Sequence, residues 1–249
     1  MSTTSCVLAV VGASGGLGAS TLALAVGRRL AVDGPPATVV DLDLTGGGLD
    51  VTAGVEHLAG RRWAALASVR GAVPPDLVLG SLPTEAGCRL LSAGGSPPTD
   101  VPDAAVADVL DSLVGAGGPV VLDVPAASTL LPLVLRHAPL VVLVTGLRTR
   151  ALADADALVD RLTSRAEGGP APPDLRLVTR GPRPTAGVLD DVVAHLGVAH
   201  LHHVPDDPRV PRDAERGAWP GSADDAVRRC ADRVVEVVGT ARGVFGRAS

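Results

Sequence analysis

The stretch GASGGLGAST, at residues 12–21, has the residue types that proteins use to bind phosphate. The apolar run Val7–Val11 comes before it and predicts a buried strand, and the apolar periodicity that follows Thr21 predicts a helix. Between a strand and a helix, a glycine-rich loop can turn successive backbone N–H groups inward, next to the positive end of the helix dipole. The sequence therefore predicts a nucleotide-binding loop made of Gly15, Gly16, Leu17, Gly18, Ala19, Ser20 and Thr21.

This loop lacks the cation that phosphate-binding loops carry. Ala19 stands where a lysine is expected, and the chain contains no lysine, because all 22 of its basic residues are arginine. The hydroxyl of Ser20 is in the position that would ligate Mg²⁺. A glycine-rich turn that only lets a strand and a helix pack closely is the alternative interpretation.

Carboxylates follow two further strand-like runs. Asp41 and Asp43 come at the end of one run, in VVDLDLTGGGLD, and Asp123 follows another, in VVLDVP. Since the carboxyl ends of parallel strands lie at one edge of a sheet, we expect these acids near the loop. One of the first two could hold a metal ion or orient water, and Asp123 has the form of a Walker B aspartate, which supports Mg²⁺. The alternatives are a loop-capping carboxylate at Asp41 and, at Asp123, an N-cap for a helix near Ser128.

Other kinds of chemistry find little support in the sequence. His200, His202 and His203 cluster near a predicted strand end, but no acidic or cysteine partner stands at ligand spacing. The three cysteines are widely spaced and form no CxxC pair, which argues against disulfides and a zinc site. No GxSxG elbow is present, so covalent catalysis is not predicted.

Apolar runs alternate with helical patterns along the chain, which predicts an α/β fold, a three-layer sandwich around a mostly parallel sheet. The predicted strands are Val7–Val11, Thr38–Leu42, Arg89–Ser92, Val120–Val124, Leu140–Thr145, Leu175–Thr179 and Leu201–Val204. The predicted helices are Ala19–Asp33, Asp103–Val114, Ser128–His137, Thr149–Ser164, Ala186–Leu196 and Ala223–Val238, with a short piece near Arg61–Val69. We expect one domain over residues 1–249, with a variable insertion at about 46–98 and a surface loop at Gly168–Asp174.

The composition limits the kinds of partner. A hydrophobic fraction of 46% supports a large core, and a formal net charge of −5 gives no electrostatic footprint for DNA or anionic lipid. The start of the chain has no signal-peptide pattern and no run approaches the about 20 apolar residues of a membrane span, so we expect a cytoplasmic protein. In the tail, Val234–Arg247, we expect Gly239, Gly243 and Gly246 to interrupt the helix, which disfavours membrane attachment.

Together, GASGGLGAST, VVDLDLTGGGLD and VVLDVP resemble the MinD/ParA superfamily of P-loop ATPases with a deviant Walker A motif. The likeness is closer to the CpaE/TadZ-like branch, and within it to the actinobacterial CpaE-like proteins, which include the septum site-determining protein Ssd. GGGLDVTAGVE, the RRW at residues 61–63 and the ending VPDDPRVPRDAERG carry that finer likeness. The resemblance covers most of the chain.

The resemblance implies ATP or ADP at the loop. It implies Mg²⁺ on Ser20, with Asp43 assisting the activation of water and Asp123 supporting the metal. In the superfamily pattern KGGxGKT, one lysine reaches across a dimer to the partner's nucleotide and the other binds the β- and γ-phosphates. Here those positions are Ser14 and Ala19. The asparagine that recognises adenine corresponds to Thr179, which Arg180 follows.

These residues favour a nucleotide-binding or vestigial P-loop protein with weak or absent ATPase activity. By resemblance it would act as a spatial or assembly factor, in Tad-type pilus or secretion-machinery positioning or in septum-site regulation. Its partners would be proteins of those machineries, which would recruit it to the pole or septum, and it could form a homodimer. DNA binding and membrane attachment are further hypotheses that the charge and the tail disfavour. The resemblance leaves open whether a receiver-like domain precedes Met1.

The alternative is an active but slow Mg-ATPase in which arginine replaces the lysines of the loop. Phosphoryl transfer depends mainly on positioned positive charge, so this hypothesis needs an arginine that reaches the phosphates. The candidates near predicted strand ends are Arg180, Arg148 and Arg209.

Overall fold

A single eight-stranded sheet forms the centre of the molecule. The computed structural model describes residues 6–32, 34–94, 100–164 and 171–245, with side chains up to Thr240. The strands are β1 Cys6–Gly12, β2 Ala37–Asp41, β3 Thr84–Glu85, β4 Cys88–Leu91, β5 Pro119–Pro125, β6 Leu140–Gly146, β7 Asp174–Gly181 and β8 Ala199–Pro205. Their order is β3-β4-β2-β5-β1-β6-β7-β8, and every neighbouring pair is parallel except β3 with β4.

Ten helices stand among the described residues. They are α1 Ala19–Val32, α2 Leu49–Ala53, α3 Trp63–Leu66, α4 Pro75–Leu79, α5 Asp103–Gly115, α6 Leu131–His137, α7 Thr149–Thr163, α8 Val188–Leu196, α9 Arg209–Ala214 and α10 Ala226–Phe245. None of those helices, as far as the chain is described, is long and apolar enough to cross a membrane.

Helices cover both faces of the sheet, and each face has its own apolar core. One core joins the sheet to α1 and α10, and the other joins it to α5, α6, α7 and α8. The central strands β1, β5 and β6 are buried almost completely, as expected for parallel strands covered on both sides. The predicted three-layer α/β fold with a mostly parallel sheet is confirmed.

All seven predicted strands are present, and no bound differs from the prediction by more than two residues. The short elements β3, α2, α4 and α9 are additional, and α6 begins at Leu131 instead of Ser128. Within segment 46–98 the chain forms α2, α3, α4, β3 and β4, while residues 95–98 lie outside the described part. Gly168–Pro170 of the predicted surface loop lie outside it too.

The expectation that glycines interrupt the last helix was wrong for Gly239 and Gly243. Helix α10 continues through both to Phe245, while Gly246 and Arg247 lie outside the described residues. A helical glycine costs about 1 kcal/mol relative to alanine, which tertiary packing can offset. The buried side of α10, at Ala231, Val234 and Val238, supplies that packing within the core it shares with α1.

Candidate functional site

A cavity of about 920 Å³ opens at the carboxyl edge of the sheet, beside the end of β1. Its size lies within the range that is usual for small-molecule sites. The glycine-rich loop forms one wall, and two carboxylates, Asp43 and Asp123, face the same space. The cavity is lined by Gly12, Ala13, Ser14, Gly15, Gly16, Leu17, Gly18, Ala19, Ser20, Thr21, Asp43, Asp123, Arg180 and parts of segments 124–127, 210–214 and 218–227, together with Asp154.

The glycine-rich loop has the backbone that its sequence predicts. Gly16 and Gly18 have φ values of +76° and +79°, which side chains disfavour, and α1 begins at Ala19 directly after them. Leu22 N donates to the Gly18 carbonyl at 3.0 Å, so the helix continues out of the loop without a break. A Cβ placed on Gly15 or Gly16 would meet no atom within 4 Å, because the cavity lies open there. The predicted loop residues Gly15 to Thr21 all line the cavity.

Ser20 and Asp123 meet beneath this loop. Ser20 and the Asp123 carboxyl, which is 4% exposed, line the same cavity, and the neighbouring Ser20 side chain favours the ionised form of that carboxyl. Burial is the main cause that raises the pKa of Asp123 to about 7, and the nearby Asp41 and Asp43 raise it further while the Ser20 side chain lowers it. The N-cap alternative is wrong, because α6 begins at Leu131 and no side chain caps it.

Asp41 organises the loop that follows β2. Its Oδ1 accepts a hydrogen bond from Asp43 N at 3.0 Å, and its Oδ2 accepts from Leu49 N at 2.9 Å and Ala93 N at 3.2 Å. Burial raises the pKa of Asp41 above its usual value, although these three backbone donors oppose the rise. Asp41 therefore serves as the loop-capping carboxylate that was one of the two interpretations of this residue.

Asp43 lies past the end of β2, in the turn that Asp41 holds. Its Oδ1 accepts a hydrogen bond from the Thr45 hydroxyl at 3.0 Å. Together with Ser20, Asp41 and Asp123 it also lines a smaller cavity of about 280 Å³ next to the large one. Asp43 is thus placed beside the Ser20–Asp123 pair, where the sequence predicted it.

The donor set fits Mg²⁺ bound together with a ligand that supplies oxygens. In the described part of the chain, no group of three or more His, Cys, Asp or Glu side chains is arranged to hold a metal ion by itself. Mg²⁺ is usually bound through one or two protein carboxylates, and water and substrate phosphates complete its shell. Ser20 and the carboxylates of Asp43 and Asp123 would provide the protein oxygens. A cation there would offset the mutual repulsion of the Asp41, Asp43 and Asp123 carboxylates.

Arg180 brings the positive charge that the loop sequence lacks. Its Nη1 donates a hydrogen bond to the Leu17 carbonyl at 3.1 Å, and a Cβ on Gly18 would collide with its guanidinium. Asp206 lies 4.0 Å from its Nε. Arg180 is the only basic residue among the described residues that line the cavity, whereas Arg148 and Arg209 do not line it.

Thr179, the other residue predicted to bind the nucleotide, does not line the cavity. It is fully buried, and its hydroxyl is 3.0 Å from His200 Nε2 and 3.0 Å from His203 Nδ1. The histidine cluster thus serves the packing of β8 against β7 on that side. Burial lowers the pKa of His200 below its usual value, and repulsion by His203 lowers it further. The geometry gives the prediction of base recognition at Thr179 no support.

The far wall of the cavity was missed by sequence reasoning. Segment 210–227 forms it, and it includes the buried Trp219, whose Nε1 donates to the Leu24 carbonyl of α1 at 2.9 Å. Asp154, from α7, faces the cavity as well. The only sequence signal for this wall was the ending VPDDPRVPRDAERG, since nothing local shows which side chains reach a loop about 200 residues earlier.

Comparison with curated proteins gives relatives that match nearly the whole chain. "Uncharacterized protein Rv3660c" of Mycobacterium tuberculosis strain H37Rv, named MT3760 in strain CDC 1551, is 34% identical over 245 residues, which are 98% of this chain and 67% of the relative. No protein-family model matches the chain.

Solved structures of lower identity share the fold. A ParA family ATPase from Chlorobium tepidum superposes with a TM-score of 0.77 at 16% identity, covering 92% of this chain and 97% of that one. MinD in its complex with MinC from Aquifex aeolicus gives 0.71 at 18%, covering 92% and 95%. MinD complexed with Mg-ADP from Pyrococcus horikoshii gives 0.69 at 18%, covering 96% and 98%. The chain therefore belongs to the same family as mycobacterial Rv3660c, and its fold is that of the MinD and ParA ATPases.

Proposed function

We propose that this chain is a nucleotide-binding P-loop protein that holds Mg-ATP or Mg-ADP and acts as a spatial or assembly factor more than as an efficient enzyme. The observation that carries the proposal is that Ser20 and the buried Asp123 carboxyl line the same cavity as the open glycine-rich loop. A turn that served only packing would need neither an open face at Gly15 and Gly16 nor a buried carboxylate beside the serine.

Each residue of the site has a task in this proposal. The N–H groups of Gly15 to Thr21 and the N-terminus of α1 bind the phosphates. Ser20 with Asp123 would hold Mg²⁺, which would neutralise phosphate charge. Asp43 would orient a water molecule near the terminal phosphate.

Weak hydrolysis follows from the charge count of the site. Phosphoryl transfer needs positive charge at the transferring group, and the loop supplies none from Ser14 or Ala19. A charge-assisted hydrogen bond contributes about 1.5–3 kcal/mol, so the loss of two cations lowers transition-state stabilisation more than it lowers backbone-mediated binding.

The second candidate function is a slow Mg-ATPase. The position of Asp43 in the cavity, close to Ser20 and Asp123, favours it, because a site that only stored a nucleotide would not need a water-orienting carboxylate. In this candidate the missing lysines are replaced by arginine.

The biological role is proposed from the relatives. One of the structural neighbours is a MinD in a complex with MinC, and we propose that this chain likewise works through protein partners and a homodimer. We place it in the CpaE/TadZ-like branch, with a role in pilus or secretion-machinery positioning or in septum-site regulation, inside the cytoplasm and recruited to its site by partners. The single domain over residues 1–249 is part of this proposal.

Equilibrium titration with fluorescent ATP and ADP, with and without Mg²⁺, tests nucleotide binding. We expect a Kd below about 1 mM, and a Ser20→Ala variant should lose the Mg²⁺ dependence. The control is Ser81→Ala, since that hydroxyl donates to the nearby Val78 carbonyl and Ser81 does not line the cavity. Absence of binding at millimolar nucleotide would reduce the loop to a packing element.

Phosphate release separates the two candidate functions. The wild type and an Asp43→Ala variant should release phosphate at the same background rate if the protein is a binding module. A turnover of the wild type that Asp43→Ala abolishes would establish the slow ATPase instead.

A further inference from the structure

Arg180 reaches the glycine-rich loop from another part of the chain. It lies near the end of β7, in register with Gly146 of β6. Strand β6 in turn pairs with β1. Two strand spacings of about 4.8 Å therefore separate its backbone from the strand that enters the loop. Gly146 places no side chain between Leu17 and Arg180, and the long arginine side chain crosses this gap.

The position of the guanidinium fits a phosphate ligand. One of its N–H groups donates to the Leu17 carbonyl at 3.1 Å, and its Nε faces the exposed Asp206 at 4.0 Å. An arginine has five N–H donors in a planar fork, so donors remain for phosphate oxygens. The guanidinium lies against Gly18, next to the loop N–H groups that face the α- and β-phosphates in such loops.

We propose that Arg180 is the phosphate-binding cation of this site, supplied in cis from the end of β7 in place of the absent loop lysine. This inference rests on the proposed nucleotide binding and adds the residue that recognises the β-phosphate. It makes the site selective for nucleoside di- and triphosphates over monophosphates. It also supplies one positive charge to the site from the same copy of the chain, so that one of the two missing cations is replaced.

Two other tasks for Arg180 give different outcomes. A guanidinium that only braces the loop would affect the binding of all nucleotides alike, because the loop shape would change for each of them. A guanidinium that blocks the loop would weaken binding, so that its removal would tighten the affinity.

Titration of Mg-ATP, Mg-ADP, AMP and adenosine against the full chain tests the proposal, with Arg180→Ala, Arg180→Lys and Arg148→Ala as variants. We expect Arg180→Ala to weaken Mg-ATP and Mg-ADP about 10–100-fold while AMP and adenosine change less than about two-fold. Arg180→Lys should recover part of the loss, since lysine keeps the charge without the fork. Arg148→Ala is the matched control, because Arg148 is exposed and does not line the cavity.

The outcomes separate this proposal from the function on which it rests. If the wild type binds Mg-ADP and Arg180→Ala binds it equally well or more tightly, the role of Arg180 is wrong and nucleotide binding stands. An equal loss for all four ligands likewise overturns the phosphate role in favour of bracing. If the wild type binds none of them, the proposed function fails and this inference fails with it. Thermal unfolding without ligand checks that each variant is folded.

Discussion

Asp123 is a carboxylate that the proposed site uses but whose ionisation lowers the stability of the fold. Its pKa is raised to about 7, so the folded state keeps a proton that the unfolded chain releases near 3.8. The folded state therefore binds more protons between these two values, and stability falls as the pH rises through this window. Ionisation of this buried carboxylate lowers the stability, and a cation bound beside it would offset that cost.

We therefore predict that Asp123→Asn is at least as stable as the wild type at pH 8 without Mg²⁺, while it binds Mg-nucleotide at least about ten-fold more weakly. The rise of the Asp123 pKa from 3.8 to about 7 limits the gain in the free energy of unfolding of the variant to about 4 kcal/mol. Urea unfolding at pH 5 and pH 8 measures the free energy of unfolding. This free energy should fall less between pH 5 and pH 8 in the variant than in the wild type. Asp174→Asn is the control, because this half-exposed carboxylate lies at the opposite end of the sheet.

Thr179 distinguishes a structural from a nucleotide-binding role. Replacement by valine keeps the volume but removes the hydroxyl that bonds His200 and His203 at 3.0 Å each. We expect Thr179→Val to lower the free energy of unfolding by about 1–3 kcal/mol, because two half-buried ring nitrogens lose their partner. The affinity for Mg-ADP should stay within about two-fold of the wild type, because this side chain does not line the cavity.

The control for Thr179→Val is the same substitution at a second buried threonine. Thr38→Val in β2 is suitable, because Thr38 is buried in the sheet and does not line the cavity. A large drop in nucleotide affinity for Thr179→Val alone would restore Thr179 to the base-binding role that the sequence resemblance implied.

At the scale of elements, a buried ion pair fixes the segment between β2 and β4. Arg62 Nε donates to Asp50 Oδ2 at 2.9 Å, and the Ser92 hydroxyl donates to Asp50 Oδ1 at 2.8 Å. Next to this pair, the indole of Trp63 donates to the Asp41 carbonyl at 2.6 Å. These bonds hold α2 and α3 against the ends of β2 and β4, and thereby the turn that carries Asp43.

Arg62→Met should therefore lower the stability by about 3 kcal/mol, because it leaves the buried Asp50 carboxylate without its cation. The neighbouring Arg61→Met is a matched control, since Arg61 is exposed, and it should change stability by less than about 0.5 kcal/mol. Chemical denaturation of the two single variants and of Arg62→Met with Asp50→Asn measures the effect. Recovery in the double variant would show that the unpaired charge, and not lost packing of the arginine stem, is responsible; no recovery would contradict the prediction.

The elements divide into those that the sequence can predict and those that it cannot. The strands of the central sheet were predictable because each is a continuous apolar run between polar breaks, and Asp41 and Asp123 marked their carboxyl ends. The short helices α2, α4 and α9 were not, since helices of five or six residues depend on tertiary contacts more than on their own pattern. Helix α10 was predicted to end at Val238 instead of Phe245, because the sequence shows the glycines that disfavour a helix but not the tertiary packing that offsets their cost.

The site shows the same division. The loop, Ser20, Asp43 and Asp123 follow from local motifs, because a strand end fixes where the next residues lie. The sequence offered Arg180, Arg148 and Arg209 as candidates for the missing cation, with Arg180 also predicted to bind the nucleotide, and the structure brings Arg180 to the loop through the Leu17 contact. The wall that contains Trp219 depends on how α1 and the start of α10 meet, which no local pattern encodes.

At the scale of the whole molecule, the sheet brings residues that are far apart in sequence to one edge. The loop after β1, the turn after β2, the end of β5 and the end of β7 meet around a single cavity. The fold of MinD and ParA ATPases is thus kept in a chain without any lysine, with an arginine from β7 on the glycine-rich loop. In the proposed site, the charge that meets the phosphates comes from the same copy of the chain.

This arrangement predicts that nucleotide binding is independent of self-association. Since the loop, Ser20, Asp123 and Arg180 all belong to one chain, the affinity for Mg-ADP should be equal within about two-fold at about 1 µM and about 100 µM protein. Fluorescence titration at the lower concentration and calorimetry at the higher one provide the two values, and sedimentation velocity under both conditions reports the fraction of dimer. An affinity that rises together with the dimer fraction would mean that the second copy contributes to the site, as coupled binding and assembly require. Equal affinities while the dimer fraction changes would leave the homodimer a role in partner recognition and not in holding the nucleotide.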